Sequence, residues 1–286
     1  MKKDKKIRDL VHEMRSELRE VYPEREINSI IPLVMNRFTH LTKPHHLHLY
    51  QDDTANASQI SHIKDIIKQL KSGKPIQQIL GETEFYDLTI KIKPSVLIPR
   101  QETEELVDWI IDDFQDKPVR ILDIGTGSGC IALALARNME KAEVHALDVS
   151  REAVELAKEN ARINKTPVNV FQTDILNDDN PPGHYGLIVS NPPYVRESEK
   201  KFMHKNILEH EPHQALFVDD KNPLFFYRKI LKFAQNHLSP KGWVYFEINE
   251  AMGQEMVRLL GKEGYHNIRL KKDLNGKNRM IKAQKP

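Results

Sequence analysis

The sequence contains a single cysteine, Cys130, among its 286 residues. One cysteine excludes an intramolecular disulfide framework and a zinc site built on several cysteines, and we expect this side chain to be a small buried hydrophobe. No uncharged apolar run approaches the ~18 residues of a membrane-spanning helix. The basic N-terminus does not lead into an apolar stretch with a small-residue cleavage site, so we expect no secretory signal. These absences favour a location in the cytoplasm.

An excess of charge of one sign is also lacking, since 43 basic and 41 acidic side chains leave a net charge of +2. No global field therefore attracts nucleic acid. Residues 101–116 hold seven acids and no base, whereas residues 261–286 hold eight bases and two acids, and we interpret the two runs as solvated faces. His45, His46 and His48 have no cysteine or acid pair nearby, which indicates an exposed turn and no metal site.

The length of the chain predicts two domains, at a typical size of about 150 residues each. Residues 1–73 repeat apolar side chains at three- and four-residue steps, which predicts a small helical domain without strands. Residues 74–96 are β-branched and alternating, which predicts a β-hairpin linker. Residues 97–286 form the remaining domain.

Helix and strand patterns alternate in this last domain, which indicates the α/β class with a doubly wound, Rossmann-like, mostly parallel sheet. The predicted elements are strands at 119–124, 143–148, 168–172, 185–190 and 243–248, and helices at 101–115, 129–138, 151–162 and 223–237. Around Asn275-Gly276, a strong hairpin-turn dipeptide, residues 265–283 predict a C-terminal antiparallel hairpin.

A glycine-rich loop, Gly125-Thr126-Gly127-Ser128-Gly129, joins the first of these strands to the next helix. Glycines permit positive φ and close approach of the backbone, and the helix N-terminus offers free N–H groups to a ligand. A nicotinamide-type loop needs a further glycine at the next position, which is Cys130. The loop therefore favours a nucleoside ligand without a diphosphate.

Two aspartates after the following strands complete the predicted cofactor site. Asp148 ends the second strand, where a carboxylate accepts both ribose hydroxyls of an adenosine group; the alternative is a cap for the helix that starts near Ser150. Asp174, followed by Ile175, comes after the third strand, where adenine would lie; the alternative is a turn residue. The loop, Asp148 and Asp174 together resemble the S-adenosylmethionine site of a class I methyltransferase.

The tetrapeptide Asn191-Pro192-Pro193-Tyr194 follows the apolar strand YGLIVS. Two prolines remove two backbone donors and fix φ, which leaves a stiff loop with unpaired carbonyls. The Asn191 oxygen and a free carbonyl can hold a planar –NH2 group, against which the Tyr194 ring can stack. Accepting both N–H bonds orients the nitrogen and stabilises the positive charge that develops on it. The tetrapeptide therefore predicts methyl transfer to an amide or exocyclic amine nitrogen.

Longer motifs make a resemblance to one family specific. They are GETEF at 81–85, IPRQETE at 98–104, LDIGTGSGC at 122–130, NPPYV at 191–195, EPHQAL at 211–216 and DLNGKNR at 273–279. Over residues 79–280 the chain resembles the release factor glutamine N5-methyltransferases, the PrmC/HemK family. It departs from the family pattern at Gln101, where proline is usual, and at Asp219–Asn222, where a shorter turn is common.

The resemblance implies methyl transfer from S-adenosylmethionine to the side-chain amide nitrogen, N5, of the glutamine in the Gly-Gly-Gln motif of class-1 peptide chain release factors. It assigns the catalytic roles to Asn191, Pro192 and Tyr194, with Asn191 also at the cofactor. The implied substrate-binding residues are Asn191, Pro192, Pro193, Tyr194, Phe85 and Arg100, the last two lying near the methyl-donor pocket. The alternative is N-methylation of an exocyclic amino group of adenine or guanine in nucleic acid, because Asn-Pro-Pro-Tyr occurs there too.

The resemblance also implies a division of labour between the domains. Residues 1–73 are expected to recognise the release factor, and residues 97–286 are expected to form the S-adenosylmethionine-dependent methyltransferase domain. We expect S-adenosylmethionine and no metal as cofactor, a release factor as partner, no membrane, no direct nucleic-acid requirement and a monomeric state.

Overall fold

The computed structural model describes residues 4–39, 51–176 and 183–286. Contacts within the chain divide it into two units. The first comprises the residues up to Gly81 together with Lys205–His210, and the second comprises Glu82–His204 and Glu211–Pro286. Within the described ranges, no helix is both long enough and apolar enough to cross a bilayer.

The α-helices and β-strands of the described residues follow one another along the chain. In order they are β1 (Lys5–Lys6), α1 (Ile7–Leu18), α2 (Glu24–Thr39), β2 (Thr54–Ala55), α3 (Ala57–Lys71), α4 (Ile76–Leu80), β3 (Glu82–Phe85), β4 (Leu88–Lys91), α5 (Gln101–Phe114), β5 (Val119–Ile124), α6 (Cys130–Asn138), β6 (Ala142–Asp148), α7 (Arg151–Ile163), β7 (Asn169–Gln172), β8 (Tyr185–Ser190), β9 (Val195–Arg196), α8 (Lys205–His210), β10 (Phe217–Val218), α9 (Phe225–His237), β11 (Leu238–Glu247), α10 (Gly253–Lys262), β12 (His266–Lys272) and β13 (Asn278–Gln284). Most elements that the sequence pattern predicts are therefore confirmed, with ends shifted by a few residues.

Helices α1, α2 and α3 form the core of the first unit through the apolar faces that their spacing predicts. The buried side chains of these helices are Ile7, Leu10, Met14, Leu18, Ile27, Ile30, Ile31, Val34, Met35, Ile60, Ile63, Ile66, Ile67 and Leu70. A capping box starts α3, since the Asn56 side chain accepts the Gln59 N–H at 3.0 Å and the Gln59 side chain accepts the Asn56 N–H at 2.8 Å. The expectation of a strand-free segment is wrong, because β1 pairs with β2 in antiparallel register.

The segment predicted as a β-hairpin linker is partly helical. Strands β3 and β4 do form a hairpin, with Phe85 paired to Leu88. Before it, however, lies α4, which follows Pro75 and ends at Gly81 with φ of 74°. Five residues are too few for helical periodicity to differ from alternation, so the β-branched composition was misleading here.

Seven strands form one sheet in the order β12-β13-β11-β8-β5-β6-β7. Strands β7, β6, β5, β8 and β11 are parallel, whereas β13 and β12 join them as an antiparallel hairpin. The predicted doubly wound, mostly parallel α/β fold is thereby confirmed. The chain runs outward from β5 to β6 and β7, and outward the other way from β8 to β11. The direction of winding therefore reverses between β5 and β8, which makes this gap the topological switch point.

Helices cover both faces of this sheet. Buried side chains of α5 and α6 on one face include Leu106, Val107, Ile110, Ile131 and Leu135, and those of α9 and α10 on the other include Tyr227, Leu231, Met256, Leu259 and Leu260. The interpretation of the acidic and basic runs as separate solvated faces is partly wrong. Asp113 of α5 binds Lys282 of β13, and Glu105 accepts the N–H of Leu274 at 3.2 Å.

Candidate active site

The glycine loop and the tetrapeptide leave the sheet at the same edge. Ile124 ends β5 and pairs with Ser190, which ends β8. The Ser190 hydroxyl also donates to the Ile124 carbonyl at 2.6 Å, so the two strand ends are tied together. The next residues are Gly125 and Asn191. The two motifs thus begin side by side at the topological switch point, where doubly wound sheets bind their ligands.

All three glycines of the loop have the positive φ that was predicted, with values of 72°, 56° and 83°. Gly129 also faces a close neighbour, because a Cβ at this position would lie 3.1 Å from the Cβ of Ala157. Cys130 follows at the start of α6 and is buried, as expected. Burial raises the pKa of its thiol to about 12, so Cys130 is no nucleophile at neutral pH.

The two hydroxyl side chains of the loop point into the protein. Thr126 and Ser128 are 5% and 2% exposed. Thr126 donates to the Asp123 carboxylate at 2.6 Å, and the Ser128 carbonyl accepts from the Asn160 side chain at 2.8 Å. Contact of Thr126 and Ser128 with a ligand stays a prediction.

Asp148 connects the end of β6 to the glycine loop. Its Oδ2 accepts the N–H of Gly127 at 2.9 Å, and its Oδ1 accepts the N–H of Ser150 at 2.9 Å. Each oxygen keeps a further lone pair, so two hydroxyl groups can still be accepted. The alternative of a helix cap is wrong for Asp148, because the residue that caps α7 is Ser150, whose Oγ accepts the Ala153 N–H. Burial raises the pKa of Asp148.

Asp174 and Ile175 lie after β7 in a tight turn. The Asp174 carboxylate accepts the Leu176 N–H at 2.9 Å, which is the turn role considered from the sequence. Ile175 is half-buried and packs against the core on the α9 face. Contact of these two residues with adenine stays a prediction.

The side chain of Asn191 is held by a residue from α5. Its Nδ2 donates to Thr103 Oγ1 at 3.3 Å, and the Thr103 hydroxyl donates to Glu247 Oε2 at 2.7 Å. Pro192 is buried and Pro193 is half-buried. In the described parts of the chain, no donor is bonded to the Pro192 carbonyl. That Asn191 Oδ1 and the Pro192 carbonyl hold a substrate amide stays a prediction.

Tyr194 is anchored by the same carboxylate. Its hydroxyl donates to Glu247 Oε1 at 2.9 Å, and its carbonyl accepts from Asn249 Nδ2 at 3.2 Å. Burial and the Glu247 charge raise the pKa of Tyr194 well above its ordinary value. Burial raises the pKa of Glu247 too, against hydrogen bonds from Thr103 and Tyr194. Stacking of the Tyr194 ring on a substrate amide stays a prediction.

Sequence reasoning missed Thr103 and Glu247. Glu247 is 1% exposed at the end of β11, in the apolar stretch WVYFE. A lone acid in a buried strand needs a partner, and that signal was available in the sequence. Thr103 stands inside the IPRQETE motif but has no chemistry that marks it out.

Phe85 and Arg100 have other partners. Phe85 is 1% exposed and packs in the core beneath α5 and α6. Arg100 precedes α5 and binds Glu211, a buried acid from the EPHQAL motif. Among the described residues, no hydrogen bond, ion pair or ring contact joins either side chain to the tetrapeptide, and their substrate roles stay predictions. Gln101 occupies the first position of α5, where proline is also well tolerated, so this departure leaves the helix start unchanged.

Away from this edge, the described residues form a groove with a volume of about 690 Å³. Its lining residues are Trp109, Trp243, Asn267, Arg269, Leu270, Lys271, Lys272 and Lys282. None of them belongs to the predicted site. The described residues hold no cluster of three or more His, Cys, Asp or Glu side chains suited to a metal. His45, His46 and His48 lie outside the described residues.

Comparison with known proteins gives relatives over nearly the whole chain. The family model described as methyltransferase small domain matches residues 102–219. The release factor glutamine methyltransferase of Flavobacterium psychrophilum is 46% identical over 270 residues, which cover 93% of this chain and 94% of that protein. The protein of the same name from Bacteroides thetaiotaomicron is 40% identical, covering 95% of this chain and 98% of its own. A solved methyltransferase from Pyrococcus furiosus shares the fold, with a TM-score of 0.52, 18% identity, and coverage of 80% and 99%.

Proposed function

Because the chain belongs to the release factor glutamine methyltransferase family, we propose that it methylates the side-chain amide nitrogen, N5, of a glutamine in class-1 peptide chain release factors. The glutamine is the one in the Gly-Gly-Gln motif, and the methyl donor is S-adenosylmethionine. The observation that carries the proposal is the pairing of Ile124 with Ser190. A donor bound at Gly125 and an amide bound at Asn191 then meet at one edge of the sheet.

The residues at this edge suit S-adenosylmethionine. Asp148 can accept the ribose hydroxyls. In the glycine loop, the N–H groups of Gly125, Thr126, Gly127 and Gly129 donate within the protein, which leaves those of Ser128 and Cys130 at the start of α6 for the remainder of the molecule. Asp148 and Glu247 carry negative charge when ionised, which favours a cationic ligand over an anionic one. S-adenosylmethionine supplies a methyl group on a sulfonium, with the neutral thioether as leaving group.

The chain's own residues have to turn an amide nitrogen into a nucleophile. An amide nitrogen is a poor one, because its lone pair is delocalised into the carbonyl. Asn191 Oδ1 and the Pro192 carbonyl accept the two N–H bonds, which directs the lone pair at the methyl group and stabilises the positive charge that develops. The two prolines keep these oxygens at a fixed spacing. The excess proton leaves afterwards to water, so no strong base is required.

Labelled methyl transfer tests this function. The full-length protein is incubated with methyl-tritiated S-adenosylmethionine and a purified class-1 release factor, and we expect label on the Gly-Gly-Gln glutamine. Asn191→Ala removes one of two acceptors and should lower kcat by about 100-fold or more, by analogy with removal of an oxyanion donor. Calorimetry should show affinity for S-adenosylhomocysteine within a few-fold of wild type.

The control is Asn138→Ala, at an exposed asparagine near the end of α6, which should leave kcat unchanged. Absence of label from the glutamine would refute the proposed reaction, and full turnover by Asn191→Ala would refute the role of Asn191. A parallel arm offers ribosomal RNA, transfer RNA and DNA. Label in nucleic acid alone would favour the alternative of an exocyclic amino group.

The same proposal covers partner, domain and location. We place release factor recognition in the helical unit up to residue 73, which packs around its own apolar core. We also propose a monomeric enzyme in the cytoplasm, where release factors act on ribosomes.

A further inference from the structure

One buried carboxylate connects two motifs that the transfer chemistry leaves without a role. Glu247, at the end of β11, accepts hydrogen bonds from Thr103 and Tyr194. Thr103 belongs to the IPRQETE motif, and Arg279, close by on β13, belongs to DLNGKNR. Thr103 and Glu247 are 2% and 1% exposed, so a substrate does not reach them directly.

We propose that Thr103 and Glu247 are positioning residues that fix the Asn191 amide with its oxygen facing the substrate. The inference rests on the proposed function, since it explains how the acceptor in that reaction is aligned. Neither residue contacts the reacting atoms, because both act through Asn191.

The direction of the hydrogen bonds around Thr103 determines the orientation of the Asn191 side-chain amide. An ionised carboxylate only accepts, so Thr103 must donate its single hydroxyl proton to Glu247, at 2.7 Å. The Thr103 oxygen can then only accept, and it does so from Asn191 Nδ2 at 3.3 Å. Rotating the Asn191 amide by half a turn would set Oδ1 against the lone pairs of Thr103, which is repulsive. The buried acid thus selects one of two amide orientations that are otherwise almost equal in shape.

The same carboxylate also fixes the far end of the tetrapeptide. Tyr194 donates to Glu247 Oε1 at 2.9 Å, while Thr103 occupies Oε2. The first and last residues of Asn-Pro-Pro-Tyr are therefore tied to the two oxygens of one side chain, and the prolines between them hold the backbone. This arrangement fixes the tetrapeptide relative to the sheet as well as the Asn191 rotamer.

The DLNGKNR motif supplies the counter-charge. Asp273 accepts the N–H groups of Asn275 and Lys277 at 3.0 and 2.9 Å and binds Arg279 Nε at 3.2 Å, which shapes the turn before β13. The Arg279 carbonyl accepts the N–H of Ile248, the residue after Glu247, at 2.8 Å. The guanidinium of Arg279 opposes the rise that burial causes in the pKa of Glu247. The net shift is still upward, so the proton count applies at pH values at which Glu247 is ionised.

Three variants separate positioning from packing. Thr103→Val keeps the shape but removes the hydroxyl, and we expect kcat for the release factor to fall at least about tenfold, as for loss of one hydrogen bond next to a charged group. Thr103→Ser keeps the hydroxyl and should restore kcat to within about threefold. Thr166→Val makes the same change at another buried threonine, which bonds only its local turn, and should leave kcat unchanged. Affinity for S-adenosylhomocysteine, measured by calorimetry, should stay within about twofold throughout.

A second measurement does not depend on activity. The Asn191 side-chain amide is assigned in a ¹⁵N–¹H spectrum by its loss in Asn191→Ala. We expect its signals to shift, and its protons to exchange faster, in Thr103→Val and Glu247→Gln but not in Thr166→Val. If the release factor is not labelled but these spectral shifts are observed, the proposed function is refuted and the positioning of Asn191 by Thr103 and Glu247 is still supported. Unchanged amide signals, or full turnover by Thr103→Val, overturn the inference itself.

Discussion

Asp123 links the conformation of the glycine loop to pH. It is fully buried beneath the loop and holds Thr126 at 2.6 Å. Burial raises the pKa of Asp123 to about 7, from an ordinary value of 3.8. The folded chain therefore keeps this proton at pH values where the unfolded chain has lost it. The stability that Asp123 contributes is greatest below about pH 4 and falls as the pH rises towards 7.

Asp123→Asn should reveal this dependence. The neutral amide has the same shape and does not titrate. Groups that do not interact with Asp123 titrate alike in both proteins and cancel in the difference, and the exception is Asp148, whose charge raises the pKa of Asp123. Relative to wild type, the variant should gain about 2 kcal/mol of unfolding free energy between pH 5 and pH 8. Urea unfolding of both proteins at four pH values in this range measures it. A difference that stays constant with pH contradicts the account of Asp123 as a strained buried acid.

The site residues that could be identified from the sequence are those that follow an apolar strand directly. Asn191 and Asp148 each follow an apolar strand directly, so the carboxyl edge of a parallel sheet was their predictable location. Thr103 and Glu247 could not be grouped in this way. They lie 144 positions apart and meet because α5 packs against β11. Their connection is a tertiary fact, although a lone glutamate in an apolar strand was a warning.

At the scale of elements, the junction between β5 and α6 depends on one glycine. Gly129 has φ of 83°, and a Cβ there would meet the Cβ and Cα of Ala157 on α7 at 3.1 and 3.3 Å. Gly264 offers a matched control, since its φ is 84° and nothing lies within 4 Å of an added Cβ. Both substitutions pay the cost of a left-handed alanine, about 1 kcal/mol. Only the first also pushes α7 away from α6.

Gly129→Ala should therefore destabilise the protein more than Gly264→Ala, by roughly 1–3 kcal/mol in unfolding free energy. Gly129→Ala should also lower the affinity for S-adenosylhomocysteine at least about tenfold, because the N–H groups at the start of α6 move. Gly264→Ala should bind S-adenosylhomocysteine with wild-type affinity. Chemical denaturation and calorimetry on the same two proteins decide the matter. Equal losses in both would mean that φ alone requires the glycine and that the contact with Ala157 is unimportant.

Long, strongly periodic elements were predictable, and short ones were not. The pattern missed α10, whose buried Met256, Leu259 and Leu260 have helical spacing but stand in only ten residues that begin with glycine. It also assigned α4 to a strand, because five residues with two isoleucines fit either period. Neither error displaced the site, since the strands β5, β6 and β8 that position it are near-continuous apolar runs.

At the scale of the whole molecule, the net charge is close to zero, and basic side chains also lie next to acidic ones in the fold. The basic C-terminal run faces the acidic α5, and Lys282 both binds Asp113 and lies 4.8 Å from the ring of Trp109. The lysines of this run that lie near Trp243 of β11 are Lys271 and Lys272 of β12 and Lys282 of β13. Lys271 pairs with Met280, and Met280 pairs with Glu247, so Lys271 is level with Glu247 along the strands. The strands β13 and β11 separate β12 from β8, the strand that leads to Asn191. At ~4.8 Å between neighbouring strands, the lysines of β12 therefore lie roughly 14 Å across the sheet from β8.

This arrangement predicts a shallow dependence of methylation on salt. An enzyme that neutralises six to ten phosphates loses roughly 10³–10⁵ in affinity between about 50 and 200 mM salt, because bound counterions are released. With a release factor as substrate, we expect kcat/KM to fall by less than about tenfold over the same range. Initial rates of labelled methyl transfer at four salt concentrations, with the methyl donor saturating, measure the slope.

Charge variants identify which surface is responsible for whatever slope is found. Lys271→Gln together with Lys272→Gln removes two cations from the groove lined by Trp109 and Trp243 without touching the tetrapeptide. If the protein amide is the substrate and is recognised elsewhere, the double variant keeps the wild-type slope and kcat/KM. A steep slope that this variant flattens would instead mean that the groove binds a polyanion during turnover. The chain would then have a local nucleic-acid site despite its near-zero net charge, and nucleic acid would be the substrate in place of the release factor.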